Sequence, residues 1–105
     1  MKPAAMSTPI RLDGELTIYR AAELALVLKA ALADAPEGVP FEIDLAGVAE
    51  MDSAGAQLLM AARKSAQAAG RELRLVGHSD AVREVFETLE LGALFGDVAP
   101  STAAA

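Results

Sequence analysis

The run Met51-Asp52-Ser53-Ala54-Gly55 places a carboxylate, a hydroxyl and a glycine where an alternating apolar strand gives way to a helix. A side-chain oxygen at such a junction can accept hydrogen bonds from the free N–H groups of the first helical turn, contributing about 1 kcal/mol. Asp52 and Ser53 can both do this. The hydroxyl is also a phosphoryl acceptor. A phosphoserine brings about −1.5 to −2 charges to the positive end of the helix dipole, so the fold carries it while a partner covering the surface meets a new charge. Asp52 would add to that negative field, and Gly55 lets the helix start lie close to the sheet. On the residues alone, Ser53 is a cap, a phosphorylation site, or both.

Other chemistries find less support. Ser53 and His78 both follow strands, which raises a hydrolase, but the glycine pattern of a nucleophile elbow is missing. His78 then reads as a polar residue at a strand end. Glu84, Glu87 and Glu90 recur every third residue, as on a solvated helix face. No metal site is expected from them, nor from a chain with one histidine and no cysteine. A phosphate-cradling loop needs glycines leading into Lys-Ser or Lys-Thr, and Gly92 to Gly96 has no such lysine. A receiver domain needs an acidic pair after its first strand and a lysine ending a late one, and neither is present. The expectation is a protein without enzymatic activity, cofactor or metal. A net charge of −6, with no basic stripe, argues against nucleic acid and for an acidic module that meets proteins.

These residues need elements to hold them. At 105 residues, 53% of them hydrophobic, the chain is large enough for one core and one domain. Ile10, Leu12, Leu16 and Ile18 alternate around Asp13-Gly14, which predicts a short opening hairpin. Leu24, Val27, Leu28, Ala31 and Leu32 form one apolar face of a helix over residues 21–33, stopped by Pro36 to Pro40. Phe41, Ile43 and Leu45 alternate with Glu42 and Asp44 in a strand, and Leu58, Leu59, Ala62, Ala66 and Ala69 recur at helical spacing as the apolar side of a helix from Ser53 that Gly70 ends. Leu73, Leu75 and Val76 make a further strand. Ser79 or Asp80 then caps a helix with Val82, Val85, Phe86 and Leu89 inward, and residues 93–98 add a turn or short helix. The class is α/β: a small, mostly parallel mixed sheet of about four strands packed by three to four helices. Residues 1–9 and 100–105 read as flexible tails around a domain over 10–99. Nothing in the sequence looks like a signal peptide or a membrane span, so the cytoplasm is the expected location, without direct membrane insertion.

The pattern resembles the STAS family, named for sulphate transporters and anti-sigma-factor antagonists, over nearly the whole chain. Leu12 to Thr17 resembles its first hairpin, Ile43 to Val48 its central strand, and Met51 to Gly55 its phosphorylation loop and helix start. Gly77 to Val82, Phe86 and Leu91-Gly92 resemble its last strand and helix. The resemblance implies a STAS fold and a non-catalytic, partner-switching function, in which the unmodified protein binds a serine kinase or anti-sigma factor and phosphorylation of Ser53 releases it. Carried onto this chain, the partner-binding residues are Asp52, Ser53, Ala54, Gly55 and Thr17. Two positions depart from the antagonist pattern. Ala54 stands where a second hydroxyl is frequent, and Thr17 where several antagonists have aspartate. The sequence resembles equally well STAS proteins that accompany a phospholipid-transport ATPase, or those of chemosensory histidine-kinase systems, where Ser53 would only contact the partner.

Overall fold

A computed structural model describes residues 9–91. Three strands, β1 (Ile10–Leu16), β2 (Phe41–Met51) and β3 (Leu73–Val76), alternate with three helices, α1 (Ala21–Asp34), α2 (Ser53–Ala68) and α3 (Asp80–Leu89). The strands lie in the order β1-β2-β3 and every pairing is parallel, as strand-helix-strand crossovers require. Alternation makes each strand two-sided. Phe41, Ile43 and Leu45 enter one continuous core with Leu12, Leu16 and Leu75, closed by Leu24, Leu28, Leu58, Leu59, Val82 and Phe86 from the three helices. Glu42 and Asp44 stay half-exposed, close to Arg74 and Arg11.

The α/β layering expected from the sequence is present, but the opening hairpin is not. Residues 10–16 form a single strand, which leaves three strands among the described residues where about four were expected. Ile10 pairs with Ile43 and Leu16 with Met51, so β2 spends two more residues than β1 between the same end pairs. The positive φ of Gly14, +82°, falls at one of the two resulting irregularities and not in a reversal. A folded-back hairpin would have withdrawn Leu12 or Leu16 from the core, and both are buried there.

Four further positions differ from the sequence expectation: Ile18 is exposed in the turn after β1, Ala69 is exposed past the end of α2, and two helical residues turn away from the core. Val27 and Leu89, assigned to inward faces, are 42% and 44% exposed, because the sheet-facing contacts of their helices are taken by Leu24 and Leu28 and by Val82 and Phe86. The helix ends follow local chemistry. Gly70, at φ +74°, lets Arg71 N donate back to the Ala66 carbonyl at 2.8 Å and closes α2. Ser79 Oγ accepts from Val82 N at 3.2 Å and starts α3. The turn or helix expected over residues 93–98, and the two tails, lie outside the described residues apart from Pro9.

Candidate functional site

The candidate site is the junction at which β2 passes into α2, packed against the turn that follows β1. Asp52 lies in extended backbone just before α2, and its carboxylate is divided between two tasks. Oδ1 accepts from Ala54 N at 2.9 Å and Gly55 N at 3.2 Å, closing the first helical turn. Oδ2 accepts from Ile18 N at 3.2 Å, and Asp52 N donates to the Leu16 carbonyl at 3.3 Å. One side chain therefore caps the helix and pins the turn after β1 against it.

With Asp52 as the cap, Ser53 has no structural duty of that kind. It is exposed, is the first residue of α2, and its hydroxyl makes no hydrogen bond among the described residues. Ala54 is half-buried. Gly55 is buried where a β-carbon would overlap the Leu16 carbonyl oxygen, so the helix start approaches β1 as closely as only glycine allows. Thr17 is 9% exposed, and its Oγ1 donates to Glu15 Oε1 at 3.3 Å. The structure thus brings the five sequence-predicted site residues to one junction, with Ser53 outermost.

Sequence reasoning missed Ile18 and Tyr19, which follow Thr17 in the same turn and are 66% and 88% exposed. Large apolar side chains held in water beside a free hydroxyl are the usual raw material of a protein-binding surface. Alternation runs unbroken from Leu16 to Ile18, so the available signal was only the chain's single tyrosine, Tyr19, just before α1. Ser53 also lines an open groove of about 660 Å³ between the β2 end and α3, together with Thr17, Glu50, Met51, Glu84, Val85 and Leu89.

His78 belongs to a different part of the molecule. It follows β3, whose last residue Val76 pairs with Asp44, seven residues before β2 ends at Met51 and Ser53 follows. At about 3.3 Å per residue that is a separation of roughly 20 Å along the sheet, so the strand ends do not bring Ser53 and His78 together. The His78 ring packs edge-on against Phe86 at 5.4 Å between centroids, and neither ring nitrogen has a hydrogen-bond partner. Desolvation, helped by the Arg83 charge, lowers its pKa from the ordinary 6.5. It is a packing residue whose charged form burial disfavours.

The profile of the family described as "Mlab, STAS domain" matches residues 4–96. The chain is a STAS domain. Among solved structures, it is similar to a sulfate transporter family protein from Wolinella succinogenes, with a TM-score of 0.62 and 23% identity over 82% of this chain and 68% of that one. It is also similar to the anti-sigma factor antagonist SpoIIAA in its unphosphorylated form, with a TM-score of 0.57 and 22% identity over 84% of this chain and 73% of that one. At those identities the likeness establishes the fold. No curated protein sequence matches the chain. Among the described residues of this STAS domain, no helix is long and apolar enough to cross a membrane.

Proposed function

We propose that this STAS domain is a non-catalytic regulatory module that binds a protein partner, a serine kinase or anti-sigma factor, through the turn and helix beginning at Ser53, and that phosphorylation of Ser53 releases the partner. One observation carries the reading: Asp52 does all the capping, which leaves the Ser53 hydroxyl exposed and unengaged next to exposed Ile18 and Tyr19. A phosphoryl group there would sit at the N-terminus of α2 without breaking any native hydrogen bond, so its effect would fall on the partner and not on the fold. The likeness to SpoIIAA adds support at the level of fold.

A second reading draws on Thr17 and Ala54. Thr17 is buried with its hydroxyl engaged by the neighbouring Glu15, and Ala54 offers no second hydroxyl, so the surface has fewer free polar groups than the antagonist pattern. That favours constitutive binding, as an accessory subunit of a phospholipid-transport ATPase or an adaptor in a chemosensory kinase complex, with Ser53 only a contact. The test is to present the native, Ser53→Ala and Ser53→Asp proteins to a lysate of the source cells and identify what each retains. Phosphorylation control predicts a kinase-like partner held by Ser53→Ala and lost by Ser53→Asp. An ATPase or histidine-kinase complex held equally by both would sink the control and support the second reading.

A further inference from the structure

The groove between the Ser53 junction and α3 has side chains that specify its occupant. Met51, Val85 and Leu89 supply apolar lining, and Leu89 is 44% exposed despite its size. Glu50 comes from the β2 side and Glu84 from the α3 side, and among the described residues neither is in an ion pair. The nearby Arg83 is engaged by Asp80. Two uncompensated carboxylates on the two elements that form one apolar-lined groove attract a cation and repel an anion, while the exposed leucine favours an apolar contact. About 660 Å³ accommodates a few side chains and not a folded domain.

We infer that this groove seats a segment of the protein partner that carries an arginine or lysine next to a large apolar side chain. The cation is held by Glu50 and Glu84, and the apolar group lies on Met51, Val85 and Leu89. The inference rests on the reading of the Ser53 junction as the partner-facing surface, and adds that the partner extends from Ser53 toward α3. It also gives phosphorylation a physical route. Ser53 lines the same groove, so its phosphoryl group would be a third anionic group there, fill part of the space, and have to shed water for the apolar side chain to enter.

The probe is a short synthetic peptide of alternating leucine and arginine, titrated onto the isotopically labelled full chain, with a leucine-glutamate peptide as control. The expected result is saturable amide shifts at Met51, Ser53, Val85 and Leu89, affinity about tenfold weaker for Glu84→Arg, and a change within about twofold for Glu87→Arg. Glu87 makes the fairer control because it is exposed on the same helix but does not line the groove. Equal weakening by both variants, equal binding of the leucine-glutamate peptide, or shifts confined to another face would overturn the inference. Groove binding that Ser53→Asp leaves unchanged upholds the inference and counts against phosphorylation control. Loss of the natural partner on Ser53→Asp, with no peptide in the groove, does the reverse.

Discussion

Gly55, in the first turn of α2, lies against the carbonyl oxygen of Leu16 at the end of β1, with no room for a β-carbon between them. The contact sets the distance from which Asp52 reaches Ile18, because Leu16 and Ile18 flank the same turn. Gly55→Ala therefore forces the helix start away from β1. The expected cost is about 1–3 kcal/mol, the usual range for overpacking, and the neighbour here is backbone and cannot swing aside. Urea denaturation measures it, and a variant as stable as the native chain would show that α2 is not docked as described.

Asp52 and Ser53 should separate cleanly in stability. Asp52→Ala removes the acceptor for three backbone N–H groups, and a loss of about 1–2 kcal/mol is expected from the missing cap. Ser53→Ala should stay within about 0.5 kcal/mol of the native chain, as at surface positions without a structural role. Paired denaturation curves decide the matter. A Ser53→Ala loss equal to that of Asp52→Ala would return Ser53 to a structural role and remove the observation on which the functional reading stands.

Most of what was legible in the sequence lay in local chemistry. Gly70 and Ser79 marked helix ends because a left-handed residue and a capping hydroxyl have few other uses at those points. The close approach at Gly55 was visible for the same reason. Asp13-Gly14 misled because a hairpin turn and a strand irregularity draw on the same glycine, and the choice was made by the parallel partners Ile43 and Met51, far away in sequence. The capping role could not be assigned between Asp52 and Ser53, since adjacent residues both carry a suitable oxygen. Extended backbone at Asp52 decides it. Alternation put Ile18 in a strand and left Tyr19 unread, and the exposure of both is a property of the turn that follows β1.

Tyr19 supplies a test of the partner surface that avoids the helix start. It is 88% exposed, so Tyr19→Ser should leave the unfolding midpoint unchanged within error while weakening retention of the natural partner by about tenfold or more, as for an aromatic interface anchor. Leu26→Ser, on the outer side of α1 at 70% exposure, is the matched control. Equal retention by the two variants would place the partner on another surface.

His78 makes stability depend on pH in a predictable direction. Its folded-state pKa is lowered by desolvation and by Arg83, so as pH falls below the ordinary value of 6.5 the unfolded chain takes up a proton that the folded chain resists. Stability is then full above that pH and declines as the pH drops toward the lowered folded value. Asp44, whose carboxylate lies against Gly77, does not reverse this, since the net shift remains downward. Denaturation midpoints taken from about pH 7.5 to about pH 5.5 should fall for the native chain, and fall less for His78→Leu, which keeps an apolar group against Phe86 without a titrating ring. Carboxylates titrate mostly below this window, so the difference between the two curves isolates His78. Parallel curves, or an imidazole that titrates at or above 6.5 by NMR, would mean that the ring is solvated and not packed edge-on against Phe86.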